Sequence, residues 1–504
     1  MNFIDNFLNS ITMYRLVLYF LILLLVEAVI LSFVGILPFN GPMIIFTAVL
    51  LTTVAWLTNT IFGHFFESTT NSESIYISSL ILTLIIPPLG SFQDLGFLAW
   101  AAIWISASKF ILAIDKKHLF NPVAISVLMT STFLGQSANW WVGSKWFFFP
   151  VLIGGFLIVR KIRRPDLIIA FGAAAMGSIL IGGFFKGADL FSLFQRTLIN
   201  TPLIFLATVM LTEPFTTPAR KWPRIFYGLL VGILYNPQVH IGSWYTTPES
   251  ALIMGNLFSF FISPFSKRVA TFKQKIDLAK DTFGFIFSPN RQLSFLPGQY
   301  IEWTLPQKHY DSRGNRRYFT IASSPTEMDI ELGVKFYPNP SEFKKALSEL
   351  TPGKNISIGN LAGDFTLPED ASKKLVFIAG GIGVTPFRSM IKYLIDIKQK
   401  RDIVLFYSNK TKEEIAYQNI FSQAANEIGL KTIYSLSDES QLPVDWTGDR
   451  GFLTAEKIQK YVPDFKDRTF YISGPHGMVA AFEKTLADLG VPKLQIKTDY
   501  FPGF

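Results

Sequence analysis

The sequence predicts a multi-domain membrane protein, with a ten-helix all-α transmembrane domain followed by a β-barrel and an α/β doubly wound domain. Of the 504 residues, 49% are hydrophobic and only 16% are charged, and the mean hydropathy is +0.33. Soluble domains carry about 25% charged residues. The apolar stretches end near residue 266, after which a series of strand patterns gives way to alternating strands and helices. We place the domains at 1–265, 267–370 and 371–504.

The composition limits the chemistry. The chain contains no cysteine, which excludes disulfides, thiolate-bound zinc, iron–sulfur clusters and cysteine nucleophiles. The net charge of +9 is compatible with nucleic acid or with a membrane. In so apolar a chain we expect the positive residues to set membrane topology, with lipid and not nucleic acid as the partner. The N-terminal apolar stretch lacks a small-residue cleavage site and is expected to be retained.

Ten apolar stretches precede residue 266, and several are shorter than the roughly 20 residues of a complete crossing. They either are half-helices that end at a buried site or are ordinary spans with ragged boundaries. They lie near 14–37, 42–62, 76–88, 94–114, 121–136, 146–160, 167–185, 199–213, 224–236 and 248–265.

Basic residues orient the spans. Nine lie in the even-numbered loops and three in the odd-numbered loops, so both termini are expected to be cytoplasmic, in a bacterial inner membrane. The even-loop residues are Lys116, Lys117, Arg160, Lys161, Arg163, Arg164, Arg220, Lys221 and Arg224, and the odd-loop residues are Lys145, Lys186 and Arg196.

Two glycine-containing corners follow predicted strands in the C-terminal half. The strand 374–379 ends in Gly380-Gly381-Ile382-Gly383, and a helix begins near Pro386. Glycines allow close approach of a ligand, and a helix N-terminus favours a diphosphate. A second strand ends at Ser473-Gly474-Pro475. Strand ends in one doubly wound sheet can hold the two halves of a dinucleotide, although both corners could also be simple turns.

A third candidate is the strand Arg317-Tyr318-Phe319-Thr320. Arginine can bind a phosphate with two hydrogen bonds, an aromatic ring can stack on a planar heterocycle, and threonine can hydrogen-bond to its edge. Lys335 and Ser341, near a predicted helix start, form another candidate phosphate site.

Six segments resemble the ferredoxin–NADP reductase family in order and spacing. They are FLPGQYIEWTLP, RYFTIASSP, GVKF with the following SEF, LTPG and GDFTLP, AGGIGVTPF, FYSNKT and SGPHGM, and together they cover about 267–504. The resemblance implies FAD in the barrel and NAD(P)H on the sheet, and therefore an NAD(P)H-dependent flavoprotein oxidoreductase.

The resemblance also assigns roles to residues. Arg317 would hold the FAD diphosphate, and Phe319 and Thr320 would contact the isoalloxazine. The remaining flavin contacts would be Tyr318, Val334, Lys335, Phe336 and Ser341. The nicotinamide dinucleotide would be bound by Gly380, Gly381, Gly383, Thr385 and Pro386, by Ser408 and Lys410 at the adenosine ribose, and by Gly474, Pro475 and Met478 near the nicotinamide. Thr320, Ser473 and Phe504 would be the catalytic residues, with Phe504 shielding the flavin ring.

Two positions depart from the family pattern. Phe319 replaces a usual tyrosine, which removes a hydrogen bond and keeps the stacking. Ser473 replaces a frequent cysteine beside the nicotinamide, which should slow hydride transfer without abolishing it, because alignment of the rings is what that step requires. The choice of NADH or NADPH stays open, since Ser408 and Lys410 could accept a 2′-phosphate.

Haem is not expected in the membrane half. Only His64, His118 and His240 lie there, too few for the four ligands of two bis-histidine haems. The segments SIYISSLILTLIIPP, SKFILAIDKKHLFNPVAISVLM, TVMLTEPFTTPARKWPRIFYGLLVGIL and ESALIMGNLFSFFISP instead resemble the D subunit of the Rnf complex and the B subunit of the sodium-pumping NADH:quinone reductase. This implies two inverted five-helix repeats and a flavin.

The likeness is incomplete where that family attaches FMN to threonine. The corresponding loop, GQSANWWVGSK, has no threonine, so we expect a non-covalent FMN or riboflavin, or a quinone, with Trp140 and Trp141 stacking on the ring or serving as interfacial anchors. Glu213 and Glu27 are carboxylates within or at the ends of spans and are functional candidates.

We therefore expect NAD(P)H to reduce FAD and electrons to pass into the transmembrane domain, to a second flavin, a quinone or another acceptor. Two alternatives remain open: a membrane-anchored reductase without a membrane cofactor, and a transporter with a redox-sensing domain.

Overall fold

The computed structural model describes residues 4, 7–8, 11–66, 72–114, 117–162, 164–218, 220–262, 268–306, 311 and 315–501. The chain forms two compact units, unit 1 (Met1–Lys267) and unit 2 (Arg268–Phe504).

Unit 1 is helical. Its described residues form helices α1 (Met13–Phe33), α2 (Gly41–Phe65), α3 (Ser72–Ile85), α4 (Leu95–Ile111), α5 (Pro122–Leu134), α6 (Phe148–Ile162), α7 (Pro165–Phe185), α8 (Leu190–Ile199), α9 (Lys221–Leu234) and α10 (Pro248–Ile262). A one-turn helix, Leu203–Phe205, continues into a π-helical turn, Leu206–Met210.

The helices of unit 1 differ in length. Within the described ranges, four segments are long and apolar enough to cross a bilayer, namely Met13–Phe33, Gly41–Phe65, Phe92–Ile111 and Pro165–Phe185. A fifth is obtained if Leu190–Ile199 and Leu203–Met210, which meet at a bend of 55°, are taken as one span. The structure thus supplies fewer complete crossings, by length and composition, than the ten predicted spans.

The short helix α3 ends inside unit 1. Its last carbonyl, on Ile85, accepts hydrogen bonds from the backbone N–H groups of Asn139 and Trp140, both at 2.8 Å. The indole Nε1 of Trp141 donates to the next carbonyl, on Ile86, at 2.9 Å. These bonds satisfy acceptors that a truncated helix would otherwise leave bare in an apolar environment.

The short helix α5 begins inside unit 1. Asn121 is its N-cap, and its side-chain oxygen accepts from the N–H groups of Val123 and Ala124, both at 3.1 Å. Pro122 occupies the first turn, where its missing N–H costs nothing. The Asn-Pro sequence therefore determines where this helix starts.

Unit 2 begins with a six-stranded antiparallel sheet. Its strands are β1 (Arg268–Ala279), β2 (Thr282–Pro289), β3 (Tyr300–Thr304), β4 (Arg316–Thr320), β5 (Ile330–Lys335) and β6 (Asn355–Ala362), in the order β4-β3-β6-β1-β2-β5, and helix α11 (Glu342–Ser348) precedes β6. Strands β4 and β5 are its two edges. The pairings of the described residues therefore do not show the predicted closure into a barrel.

The second sheet of unit 2 is parallel and doubly wound. Its elements are β7 (Leu375–Gly380), α12 (Thr385–Asp396), β8 (Ile403–Asn409), α13 (Gln418–Ile428), β9 (Lys431–Leu436), β10 (Asp449–Arg450), α14 (Ala455–Tyr461), β11 (Thr469–Pro475), α15 (His476–Asp488) and β12 (Ile496–Phe501). The strand order is β10-β9-β8-β7-β11-β12. The chain builds the sheet from β7 outward to β10 and then returns to add β11 and β12 on the other side of β7. The carboxyl ends of β7, β8 and β11 therefore lie side by side where the strand order reverses, which is the usual position of a ligand site.

Strand β7 is central and completely buried. Its side chains alternate between two apolar cores: Phe377 packs with Phe387 of α12 on one face, and Val376 and Ile378 pack with Phe470 on the other. Because helices cover both faces, the strand is continuously apolar in the sequence. This pattern explains why the strand 374–379 could be predicted directly.

Candidate functional site

A cavity of about 750 Å³ lies in unit 2, between the edge strands of the first sheet and the strand ends of the second. Its lining includes every residue predicted to bind cofactor except Phe336 and Pro386. Its lining residues include Arg317, Tyr318, Phe319, Thr320, Gly333, Val334, Lys335, Ser341, Phe343, Gly380, Gly381, Gly383, Thr385, Ser408, Lys410, Phe452, Gly474, Pro475, Met478 and Phe482.

The first wall is built on β4. Arg317 and Phe319 are two residues apart, so a pleated strand directs them to the same side. Both contact Phe343 of α11: the guanidinium carbon of Arg317 lies 5.3 Å from that ring's centroid, and the two phenyl rings are 5.7 Å apart. A cation and two aromatic rings therefore face one region of the cavity.

The guanidinium of Arg317 is also held by a carboxylate. Its Nη2 lies 2.8 Å from Oδ1 and 2.9 Å from Oδ2 of Asp311, and Nη1 donates to the carbonyl of Arg316 at 2.7 Å. These bonds fix the planar group at the edge of β4. Guanidinium binds phosphate through the same planar arrangement of donors.

Strand β5 and helix α11 continue this wall. Lys335 ends β5, and its carbonyl accepts from the ammonium of Lys344 at 2.8 Å. Ser341 caps α11 by accepting from the N–H of Lys344 at 3.4 Å. The lysine and serine predicted as a phosphate site therefore lie together on the cavity wall.

The second wall is the corner after β7. Gly381 has a φ of +53°, which favours glycine. A Cβ on Gly380 would lie 2.3 Å from the sulfur of Met478, and one on Gly383 would lie 2.5 Å from the carbonyl oxygen of Ser473. Only glycine allows this corner to approach the end of β11 so closely.

Helix α12 starts immediately after that corner, at Thr385. Its free N–H groups and the positive end of its dipole are suited to an anionic group. Ser408 and Lys410 lie at the end of β8, at the same edge of the parallel sheet as the glycine corner, and both line the cavity. The arrangement matches what a dinucleotide extended across strand ends requires.

Three predicted residues lie elsewhere. The Phe336 ring packs on Phe283 and Phe285, with centroid separations of 5.5 and 6.2 Å, because it follows β5 on the side of the apolar core. Pro386 is buried in the first turn of α12. Ser473 is completely buried, and its Oγ has no hydrogen-bond partner among the described residues.

Ser473 therefore does not line the cavity; its carbonyl lies beside Gly383, on the inner side of the corner. Phe504, predicted to shield the flavin, lies outside the described residues.

The two sheets meet at a buried polar joint beside the cavity. Glu331 of β5 accepts from the Tyr417 hydroxyl at 2.6 Å and lies 3.2 Å from Nη2 of Arg388. Burial raises the pKa of Glu331, and Arg388 opposes that rise. Burial, together with Glu331, raises the pKa of Tyr417 well above its ordinary range, so the tyrosine is a neutral donor.

In unit 1, Glu213 lies in a polar cluster. Its Oε1 is 3.0 Å from Nε2 of His118, and its Oε2 accepts from Asn121 at 3.0 Å and from Thr216 at 3.2 Å. Asn121 is also linked through its backbone N–H to Asn256 of α10, at 2.8 Å. The candidate carboxylate therefore lies where the start of α5 meets the end of the π-helical turn.

The two tryptophans are core residues. Trp140 and Trp141 are 8% and 7% exposed, and Trp141 packs on Phe39 and Phe147. Trp140 donates to Glu249 of α10 at 3.2 Å and has a φ of 54°. Their burial argues against a role as surface anchors, and stacking on a ring stays a prediction. Oε2 of Glu27 makes no hydrogen bond to any described residue.

Several lining residues were not predicted. Phe343, Phe452 and Phe482 contribute aromatic surface, and Gly333 allows β5 to approach the second sheet. Asp311 pairs with Arg317. The sequence offers a signal for Gly333 alone, a glycine inside a strand, which often marks a close approach.

Comparison with known proteins agrees with this geometry. Residues 269–366 match the oxidoreductase FAD-binding domain family, and residues 377–484 match the oxidoreductase NAD-binding domain family. The C-terminal half thus matches an oxidoreductase FAD-binding domain followed by an oxidoreductase NAD-binding domain.

Individual relatives match less than half of the chain. Flavohemoprotein A of Dictyostelium discoideum is 25% identical over 244 residues, which are 45% of this chain and 58% of that protein. The glycine betaine monooxygenase reductase subunit of Chromohalobacter salexigens is 28% identical over 214 residues, 42% of this chain and 56% of that protein. The chain thus spans little more than half the length of either relative.

Among solved structures, the FAD/NAD-binding domain of a Vibrio cholerae nitric oxide dioxygenase is 21% identical, with a TM-score of 0.42 over 46% of this chain and 98% of that one.

Proposed function

We propose that the chain is a membrane-bound NAD(P)H-dependent flavoprotein oxidoreductase that passes electrons from FAD in unit 2 into unit 1. The observation that carries the proposal is that one cavity has Arg317 and Phe319 on its first wall and the glycine corner Gly380–Gly383 on its second wall. The guanidinium and the aromatic rings suit the diphosphate and the ring system of a flavin. The glycine corner suits the diphosphate of a nicotinamide dinucleotide.

The glycine corner has the geometry that backbone contact with a diphosphate needs. A Cβ on Gly383 would collide with the backbone of Ser473, so glycine keeps the corner against the end of β11, and no atom lies within 4 Å of a Cβ on Gly381, so the space beside that residue is open to a ligand. FAD bound in the cavity would accept a hydride, two electrons and one proton, from NAD(P)H, which leaves as NAD(P)⁺, and would release the electrons singly. Arg317 would hold the diphosphate, and Thr320, which is buried at the end of β4, would contact the edge of the flavin ring.

Unit 1 is proposed as the electron-accepting membrane part. The end of α3 meets Trp140, which reaches Glu249 at the start of α10, and the end of the π-helical turn meets Asn121 at the start of α5. This crosswise arrangement supports two inverted repeats of five helices each. We further propose a multi-pass protein with cytoplasmic termini, in which a non-covalent FMN, riboflavin or a quinone accepts the electrons.

Flavin analysis of the full chain tests the proposal. The protein is purified in detergent and denatured, and released FAD, FMN and riboflavin are quantified together with any flavin retained on the chain. One FAD plus a second flavin per chain supports transfer into a membrane flavin. One FAD and no second flavin would be compatible with a quinone acceptor or with a simple membrane-anchored reductase. Reduction of a soluble quinone by the purified protein would then favour the quinone acceptor. No FAD, with no NAD(P)H oxidation by any artificial acceptor, would favour a transporter with a sensing domain.

A further inference from the structure

The joint between the two sheets of unit 2 is a buried ionic cluster with no assigned part in cofactor binding. Arg388 of α12 and Glu331 of β5 have side chains that are 8% and 7% exposed. Besides Glu331, Arg388 reaches Glu327, with Nη2 3.0 Å from Oε1, and the carbonyl of Ala322 at 3.1 Å. One arginine of α12 thus binds three acceptors, one on β5 and two in the segment before it.

Neighbouring residues add further bonds across the joint. The Ser389 hydroxyl donates to the carbonyl of Ser323 at 2.7 Å, and the Ser323 hydroxyl in turn accepts from the N–H of Glu331 at 3.0 Å. Lys335 of β5 lies 3.0 Å from Glu414, which follows β8. The bonds therefore run along both β5 and the segment before it.

The joint is also sterically tight. A Cβ on Gly333 would lie 2.7 Å from the Tyr417 hydroxyl and 2.8 Å from Cγ2 of Thr385. Gly333 and Thr385 belong to opposite cavity walls, so the walls are in direct contact here. Any opening of the ionic cluster would be transmitted to the residues on either side of the cavity.

The chemistry of the joint favours a positioning role over a stabilising one. A buried ion pair adds little net stability compared with apolar residues of similar volume, because desolvation offsets the attraction. Its directional bonds instead specify one arrangement. Hydride transfer needs that specificity, because a misplacement of about 1 Å can slow an aligned reaction by roughly 100-fold.

We propose that Glu331, Arg388 and Tyr417 form a positioning clamp, which sets the separation of the two cavity walls and thereby the alignment of the nicotinamide on the flavin. The inference rests on the proposed function, since it presumes that both rings are bound in this cavity. None of the three residues belongs to the predicted cofactor contacts; they act through β5 and through the corner before α12.

The clamp is tested with Glu331→Gln and Tyr417→Phe in the full chain, purified in detergent with FAD bound. Both changes preserve side-chain volume, and Tyr417→Phe removes a single hydroxyl. Three quantities are measured: the limiting rate of FAD reduction at saturating NADH or NADPH, the dissociation constant of the nucleotide, and the long-wavelength charge-transfer absorbance of the flavin–nicotinamide complex. Glu427→Gln, on the exposed face of α13 and bonded to Gln423 at 2.8 Å, is the matched control.

We expect each clamp variant to lower the limiting rate by about tenfold and to weaken the charge-transfer absorbance, with a dissociation constant close to that of the unaltered protein. The control should match the unaltered protein in all three. Unchanged rate and absorbance in Tyr417→Phe would overturn the clamp, as would a loss of thermal stability and FAD content with an unchanged rate per bound FAD. If the unaltered protein itself fails to reduce FAD, the proposed function falls instead.

Discussion

The guanidinium of Arg317 is engaged by both carboxylate oxygens of Asp311, at 2.8 and 2.9 Å from Nη2. The donors proposed for a flavin diphosphate are therefore already paired with an anion of the same chain. This pairing compensates the charge of an arginine whose side chain is 13% exposed. A bound diphosphate would have to replace the carboxylate or share the guanidinium with it.

Replacing Arg317 with alanine should weaken FAD binding. Hydrogen bonds from a charged group contribute about 1.5–3 kcal/mol, so we expect the dissociation constant for FAD to rise by roughly 10- to 100-fold. Fluorescence titration of FAD into the flavin-depleted protein measures it. Arg291→Ala, at an exposed position, is the control, and equal FAD affinity in the two variants would exclude the assigned role of Arg317.

A methyl group at Gly383 should impair nucleotide binding. Its Cβ would meet the Ser473 carbonyl at 2.5 Å and the Gly474 Cα at 2.6 Å, which forces the corner away from β11 at a cost of about 1–3 kcal/mol. We expect kcat/KM for NAD(P)H to fall by at least tenfold, measured with an artificial electron acceptor. The control Gly477→Ala meets no atom within 4 Å and should retain activity; comparable values for both variants would refute the close approach.

The choice of nucleotide should depend on Lys410. Its ammonium, at the end of β8, can pair with the additional phosphate of NADPH and finds no such group on NADH. Lys410→Ala should therefore lower kcat/KM for NADPH about tenfold and change that for NADH little. Lys460→Ala, on the exposed surface of α14, serves as the control. An equal loss with both nucleotides would place the adenosine phosphate elsewhere.

FAD reduction should slow on acidification because of Glu331. Burial raises its pKa above the ordinary value of 4.5, while Arg388 and Tyr417 lower it and Glu327 raises it further. Protonation removes the charge that Arg388 binds, so the limiting rate should fall as pH decreases through this raised pKa, and Glu331→Gln should abolish that limb of the profile. A profile unaffected by the substitution would contradict the clamp.

The same shift predicts the sign of the stability change. A carboxyl with a raised pKa in the folded state binds more protons there than in the unfolded state, between the two pKa values. Its contribution therefore favours the folded protein as pH falls through that window and is lost as pH rises. Protonation of Glu331 therefore does not destabilise the folded protein, and it cannot slow FAD reduction at low pH by unfolding the chain. A thermal melt at each pH checks this.

Local patterns made much of unit 2 predictable. The apolar run of β7, the glycines that follow it and the alternating helices are all visible in neighbouring residues, and the corners Gly380–Gly383 and Ser473–Pro475 both lie at the cavity. Strand β6 gives a weaker local signal, because NISIGNLA combines strand residues with a glycine and two asparagines that are rare in strands.

Long-range contacts were not predictable. Tyr417 and Glu331 are 86 residues apart, and no local pattern indicates that they share a hydrogen bond. The burial of Ser473 Oγ follows from its position in β11 between neighbouring strands, which spacing alone does not reveal. In unit 1, the ends of short helices depend on partners such as Trp141, which hydropathy does not reveal.

Anaerobic reduction of the FAD-loaded full chain by NADH or NADPH tests the central claim most directly. The visible flavin absorbance should bleach with one equivalent of nucleotide per FAD, because a hydride carries the two electrons that FAD accepts, and Gly383→Ala should slow the bleaching. A chain that binds no FAD, or whose bound FAD keeps its absorbance with both nucleotides in excess, would contradict the account.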